Sequence, residues 1–248
     1  MAVVLLACQI FKREHELLSK EIAHLPETRF LETGLHNQPD VLRAAVQKEV
    51  DAFEARHSEE PLTILMGYGL CGRALCGVHA RRATLVFPRV HDCISLLLGL
   101  EHSKENAFSR EGAVYWISPG FLEYFQIDLH LHYDKRFALY EEKFGTAKAT
   151  RMMKAEKALY KNYAHAGHIV WPEMGDLYVD TAQKVATEVG IPYVEYPGRS
   201  AFLRELLEGG HDEKRFLRLE PGQTIDMDPD GGLITVRLSS ETNDTANP

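Results

Sequence analysis

The chain has 248 residues, of which 45% are hydrophobic, and a formal net charge of -8. This length predicts one large domain or two smaller lobes around a real core. The charge pattern argues against nucleic acid as a partner and against a basic patch for a membrane surface, because no stretch concentrates Lys and Arg with aromatic residues. No run reaches the ~18 apolar residues of a membrane helix, and the opening "MAVVLLACQIF" lacks the basic leader of a signal peptide. We therefore expect a soluble, cytoplasmic protein whose four cysteines are free thiols.

The first half of the chain alternates short apolar runs with stretches of helical spacing. Strands are predicted at residues 3–8, 28–36, 62–69, 83–90 and 112–120. Helices are predicted at residues 12–25, 39–57 and 93–102. In the helix at 39–57, Pro39 stands near the N-terminus, where its missing N–H costs least.

The second half continues the alternation after a long charged helical stretch from Lys135 to Tyr163. Strands are predicted at 168–174 and 191–198, with helices at 177–190 and 200–209. A β-hairpin is predicted over 224–238, around the turn at Asp228–Gly231, and a disordered tail follows at 239–248.

Strands that alternate with helices predict an α/β fold, with a mostly parallel sheet covered by helices on both faces. Such a fold would be Rossmann-like, either as one sheet or as two lobes joined by the long helical segment. The expected boundaries are an N-terminal lobe at 1–133, a helical connection at 134–163, a C-terminal lobe at 164–222, and the hairpin and tail at 223–248.

The stretch "LMGYGLCGRAL" at 65–75 contains the spacing Gly67-x-Gly69-x-x-Gly72. This spacing is typical of a dinucleotide-binding turn, and Asp92 follows Gly72 at the distance of a ribose-binding acid. The segment before the next strand is short for a crossover helix, and Asp92 lies beyond that strand. The loop is therefore either a phosphate site or a turn whose glycines allow close backbone packing.

Cysteines and histidines stand near the predicted ends of four strands. They are Cys8, His36, Cys71, His91 and Cys93. Parallel strands end at the same edge of a sheet, so these side chains are expected to converge there. Thiolate and imidazole together favour zinc, with iron as the other candidate. Cys71, His91 and Cys93 would supply three ligands, and Cys8 or His36 would complete or flank the site.

Two other arrangements compete with this metal site. In "DLHLHYD", Asp128, His130, His132 and Asp134 alternate and would share one face of a strand, which is more often a solvated face than a metal site. Cys71 could instead be a nucleophile, with His91 as base, Asp92 as orienting group and the loop amides stabilising an oxyanion.

The motifs "ETGLH", "GYGLCG" and "PRVHDC", with the later "GHIVW", resemble the domain of unknown function 1638 family of prokaryotic proteins. The resemblance covers about residues 3–222. Members of that family are often encoded near corrinoid-dependent methyl-transfer systems, which implies a corrinoid protein as a partner. The resemblance gives weight to the five Cys and His residues by position and assigns them no roles.

Three hypotheses of function follow. The first is a zinc-dependent methyltransferase or hydrolase acting on a small-molecule substrate, in which Tyr68 donates a hydrogen bond to the substrate and Asp92 orients His91 or acts as base. The second is a non-catalytic metal-binding accessory protein. The third is a nucleotide-binding protein that uses Gly67, Gly69 and Gly72.

Overall fold

The computed structural model describes residues 1–71, 73–99, 112–124 and 132–227, together with the backbone of 234–238. It is an α/β protein that divides into two compact units. The first unit comprises Met1–His102 and Ser200–Pro248, and the second comprises Ser103–Arg199. These limits differ from the sequence-based boundaries, because the chain returns to the first unit at Ser200.

The strands and helices follow one another in the predicted alternation. The strands are β1 (Ala2–Cys8), β2 (Glu27–Leu31), β3 (Leu62–Gly67), β4 (Thr84–Pro88), β5 (Val114–Ile117), β6 (His165–Val170), β7 (Tyr193–Pro197), β8 (Phe216–Leu219), β9 (Gln223–Met227) and β10 (Ile234–Leu238). The helices are α1 (Lys12–Leu18), α2 (Pro39–Arg56), α3 (Cys93–Leu98), α4 (Pro119–Tyr124), α5 (Tyr133–Phe144), α6 (Thr146–Tyr160), α7 (Val179–Val189) and α8 (Ala201–Glu208).

The first unit is built on a five-stranded sheet in the order β2-β1-β3-β4-β8. The first four strands are parallel, and β8 is antiparallel to β4. The prediction of a mostly parallel sheet is therefore confirmed. Sequence patterns do not predict β8, because its four residues follow a charged segment and are too short to show a period.

Both faces of this sheet carry buried apolar side chains, as parallel strands require. Val46 and Val50 of α2 pack with Val4 and Ile64 in one core cluster. Leu65 points to the opposite face and is equally buried, and α8 contacts β3. The sheet therefore lies between two layers of helix, α2 on one face and α8 on the other.

The second unit holds a three-stranded parallel sheet in the order β5-β6-β7. Ala182, Val185 and Ala186 of α7 pack on Ile117 and Ala166 of this sheet. The predicted helical stretch from Lys135 to Tyr163 is two helices, because Gly145 adopts a left-handed φ of +79° between α5 and α6.

Several predicted elements run beyond the ends of the observed ones. The helix predicted at 12–25 ends at Leu18, and the strand predicted at 28–36 ends at Leu31, after which residues Thr33–Asn37 form a 3-10 turn. In "DLHLHYD", Asp134 does not lie on a strand with the other three residues, because it belongs to α5, which begins at Tyr133.

Other sequence-based predictions fall at the limit of the described chain. Asp128 and His130 lie outside the described residues, as does the tail at 239–248. The predicted C-terminal hairpin is confirmed, because β9 and β10 pair antiparallel. In the part of the chain that the structure describes, no helix is both long and apolar enough to cross a membrane.

Glu54 links α2 to the turn before β4. The side chain is 7% exposed, and its carboxylate accepts hydrogen bonds from the backbone N–H groups of Arg81, Arg82 and Ala83 at 3.2, 2.6 and 2.8 Å. Burial opposes its ionisation, but these three N–H groups and the Arg82 guanidinium together lower the pKa of Glu54. Removal of the charge would leave strong donors without a charged acceptor.

We therefore expect Glu54→Gln to lower the free energy of unfolding by about 2 kcal/mol at neutral pH, the scale of hydrogen bonds to charged groups. Because the folded-state pKa lies below the ordinary value of 4.5, this stabilisation is present above pH 4.5 and is lost as the pH falls through the folded-state pKa. Urea unfolding at a series of pH values measures the difference. Glu188→Gln, on the exposed face of α7, is the control, and an equal loss in both variants would contradict the assignment.

Candidate functional site

The carboxyl edge of the five-stranded sheet brings two reactive side chains side by side. In the pairing of β1 with β3, Ala7 lies opposite Gly67. Cys8 is the next residue on β1, and Tyr68 is the next residue after β3. The register of the two strands therefore places a thiol and a phenol at neighbouring positions on one edge.

The loop after β3 runs alongside the loop after β4. The N–H of Leu70 donates to the carbonyl of Val90 at 3.1 Å, and the N–H of Cys71 donates to the carbonyl of His91 at 2.9 Å. These two bonds join the loops beyond the ends of the paired strands. They hold the segment with Cys71 against the segment that leads into Cys93.

Glycine permits both close approaches at this edge. A Cβ atom at Gly67 would lie 2.5 Å from the Cβ of Ala7, and one at Gly69 would lie 2.5 Å from the backbone nitrogen of Asp92. Neither glycine has a left-handed φ. Close packing of backbone therefore accounts for both glycines without a bound phosphate.

The dinucleotide interpretation of the loop gains no support from the fold. In that motif a helix begins at the glycines and directs its N-terminus at the pyrophosphate. Here the described residues 73–77 form turns, and the next helix is α3, which begins at Cys93. Gly72 lies outside the described residues.

The Cys71 loop has an unusual backbone. Cys71 has a φ of +50° and Arg73 a φ of +73°, and both lie in the left-handed region that side chains with a Cβ rarely occupy. Each such residue costs roughly 1 kcal/mol or more, so the surrounding contacts must hold it. The backbone bond from Cys71 to His91 is one of those contacts.

Three thiols from distant segments lie within electrostatic reach of one another. Burial raises the pKa of Cys71 to about 12, and the negative charges of Cys8 and Asp92 act in the same direction. Burial also raises the pKa of Cys93 well above its usual value, followed by the charges of Asp92, Cys71 and Cys8. The thiols of Cys8, Cys71 and Cys93 are therefore close enough for the charge on one to affect the pKa of another.

Two buried hydroxyl groups adjoin these thiols. Tyr68 is 2% exposed, and its hydroxyl has no hydrogen-bond partner among the described residues. Burial raises the pKa of Tyr68 well above its usual value, and the charges of Cys8 and Cys71 add to this effect.

Thr33 is the second of these hydroxyls. Burial raises the pKa of Cys8, and the backbone of Ile10 and the hydroxyl of Thr33 partly offset it. The Thr33 oxygen lies close enough to the thiol to have this effect, without the geometry of a formed hydrogen bond. Sequence reasoning missed Thr33, because it was assigned to a strand; only the 3-10 turn after β2 returns it to Cys8.

The remaining predicted residues surround this thiol cluster, Cys8, Cys71 and Cys93. The carboxylate of Asp92 caps α3 by accepting from the N–H groups of Ile94 and Ser95 at 2.9 and 3.1 Å. His91 is partly buried, and its carbonyl binds Cys71. His36 is exposed, and its Nδ1 lies 2.8 Å from the carbonyl of Thr33.

Cys76 belongs to different surroundings. Burial raises its pKa, and the first charge that acts on it is Asp226. It is therefore the one cysteine outside the thiol cluster. Within the described residues, no three His, Cys, Asp or Glu side chains stand in positions from which they could bind one metal ion together.

The chain is an α/β protein with three cysteines near the carboxyl edge of a mostly parallel sheet. The family model described as "Protein of unknown function (DUF1638)" matches residues 30–207, and the chain belongs to that family. The match includes His36, Cys71, His91 and Cys93, whereas Cys8 precedes it. No curated protein and no solved structure matches the chain at a significant level.

The packing at Gly69 gives a direct test of the loop arrangement. We expect Gly69→Ala to lower the free energy of unfolding by about 2 kcal/mol, because the added Cβ would overlap the backbone of Asp92. Urea unfolding measures the change. Gly34→Ala is the matched control, since a Cβ there has no heavy atom within 4 Å. A Gly69 variant as stable as the Gly34 variant would show that the two loops do not pack as described.

Proposed function

We propose that the protein binds a thiophilic metal ion, zinc in the first instance, through Cys8, Cys71 and Cys93. One observation carries the proposal: three thiols from separate segments influence one another at the carboxyl edge of the sheet, where α/β proteins bind ligands. Thiolates are preferred ligands of zinc and of iron, which is the alternative metal. We also propose that the fold is Rossmann-like, because a ligand site at the carboxyl edge of parallel strands is typical of that fold.

Binding would require the thiol side chains to reorient. The described side chains are not yet arranged around a common point, so the ion would draw the sulfurs together. Such movement is small if the side chains rotate while the hydrogen-bonded loops stay in place. His91 and His36 remain the candidates for a fourth ligand, because their backbones adjoin Cys71 and Thr33.

A site with three protein ligands keeps a position open for water or substrate, which is the arrangement of catalytic zinc sites. The proposed reaction is then a transfer or hydrolysis in which the ion acts as Lewis acid. The Tyr68 hydroxyl has no protein partner in the described structure and would donate a hydrogen bond to a ligand at that position. The resemblance to the domain of unknown function 1638 family suggests one specific reaction, methyl transfer with a corrinoid protein as partner.

Two observations bear on the alternatives. A nucleophilic cysteine requires a lowered pKa, whereas burial raises that of Cys71. The carboxylate of Asp92 is engaged with the N-terminus of α3, which competes with a role as base. If a histidine closes the coordination shell, the protein is a non-catalytic metal carrier instead.

Free thiols at the site accord with the proposed cytoplasmic location.

Metal analysis with cysteine variants tests the proposal. Protein purified without chelators should contain close to stoichiometric zinc, and Cys8→Ser, Cys71→Ser and Cys93→Ser should each lose most of it. Cys76→Ser is the matched control and should keep the metal, because its thiol lies by Asp226. Titration with Co(II) should give thiolate-to-metal absorption in the wild type and in the Cys76 variant only.

The trivalent arsenical arsenite gives a readout that does not depend on zinc. It bonds three sulfurs, so one equivalent should block the three clustered thiols and leave Cys76 to react with a thiol reagent. Metal-free protein that takes up neither zinc nor arsenite would refute the site. Uptake of arsenite without zinc would keep the thiol cluster and reject the zinc proposal.

Replacement of Tyr68 separates function from stability. An unpartnered buried hydroxyl costs free energy in the folded protein, so Tyr68→Phe should raise the free energy of unfolding by about 1 kcal/mol. The same change should weaken binding of a ligand at the open coordination position, such as azide on the Co(II) protein. Calorimetry and the Co(II) spectrum measure these two effects. A Phe variant that is less stable, with azide binding unchanged, would mean that the hydroxyl serves the fold.

A further inference from the structure

The helices α5 and α6 carry a charge opposite to that of the rest of the chain. Between residues 133 and 161 there are eight Lys and Arg against four Asp and Glu, a net charge of +4, while the remainder of the chain carries -12. The net charge of the whole chain, -8, does not show this difference between its parts. The expectation that no basic patch exists rests on the absence of stretches that combine Lys and Arg with aromatic residues, whereas the spacing of cations in α6 is a separate pattern.

The cations of α6 occupy its exposed side. Lys148, Arg151, Lys154 and Lys157 recur every third residue, and all four are exposed. On a helix this spacing distributes them over half of the circumference, along about 13 Å of axis. The opposite side holds Ala149 and Met153, which are buried.

No described acidic residue neutralises these four side chains. None of them forms an ion pair with a described residue, and the acid of α6, Glu156, is held by Arg136 and by the hydroxyl of Tyr140 on α5. Arg151 donates only to the carbonyl of Ala147, on its own helix. The face is therefore positively charged without internal compensation.

Exposed apolar side chains lie among the cations. Leu159 is 59% exposed and Phe144 is 37% exposed. The ammonium groups of Lys143 and Lys148 lie 5.4 and 4.3 Å from the centre of the Phe144 ring, so this ring and the cations form one patch. We name the four cations of α6 with Phe144 and Leu159 the basic face.

We infer that the basic face binds the surface of an anionic lipid bilayer, with the lysines over the headgroups and Phe144 and Leu159 at the acyl boundary. Lysine suits this role because its ammonium is a point charge on a flexible stem and needs no fixed partner geometry. An anionic membrane surface attracts clustered exposed cations, and the apolar side chains beside them can enter the boundary between headgroups and acyl chains. An acidic protein partner would favour cations placed for fixed pairing rather than spread over half of a helix.

Vesicle co-sedimentation of the whole protein tests the inference. The protein should bind vesicles of phosphatidylcholine with phosphatidylserine, should not bind vesicles of phosphatidylcholine alone, and should be released by high salt. Each cation near an anionic surface contributes on the order of 1 kcal/mol, so the quadruple variant Lys148→Gln, Arg151→Gln, Lys154→Gln, Lys157→Gln should bind at least about a hundredfold more weakly.

The matched control removes the same total charge elsewhere. Lys20, Lys48, Lys184 and Lys214 are all exposed and lie outside the basic face. Their replacement together by Gln should leave vesicle binding unchanged, which separates a local patch from net charge. Leu159→Ser should weaken binding without a change in its salt dependence. Circular dichroism shows whether each variant remains folded.

Other outcomes would overturn the inference. They are equal binding to neutral vesicles, equal loss in both quadruple variants, and preferential binding of a single-stranded oligonucleotide with no binding to vesicles. The last outcome would assign the basic face to nucleic acid. None of these results depends on zinc, so they are independent of the thiol cluster.

Discussion

The pairing of β1 with β3 is the constraint on which the candidate site depends. The two strands are parallel and in a register that sets Ala7 against Gly67, so both chains leave the sheet at the same level. A side chain at position 67 would collide with Ala7, and the strands could not then lie at this separation. The closeness of Cys8 to Tyr68 follows from that register and needs no further interaction.

The loops beyond the strands add the second half of the site in the same way. Hydrogen bonds join the backbones at 70–71 and 90–91, and glycine at position 69 allows the backbone of Asp92 to approach. Cys71 has its left-handed backbone at the position where its N–H bonds the carbonyl of His91.

Proposed metal binding and proposed membrane binding belong to different units of the chain. The thiol cluster lies in the first unit, and α6 with its basic face lies in the second. The two features also differ in their exposure to solvent. The thiol cluster lies in buried surroundings that keep its thiols protonated, whereas the cations of the basic face are exposed to solvent.

The sequence by itself determined the alternation of strands and helices, and hence the α/β class, because apolar periodicity is a local property of the chain. It also placed Cys8, Cys71 and Cys93 at strand ends. Tertiary structure alone decided that β8 joins the first sheet and that Thr33 turns back to Cys8. Those relations join residues far apart in the chain or depend on where a short turn ends, and neither leaves a periodic signal. Sequence patterns grouped His36 and His91 with the thiols only because they follow predicted strands. The fold shows their actual contacts, with the carbonyl of Thr33 for His36 and with the N–H of Cys71 for His91.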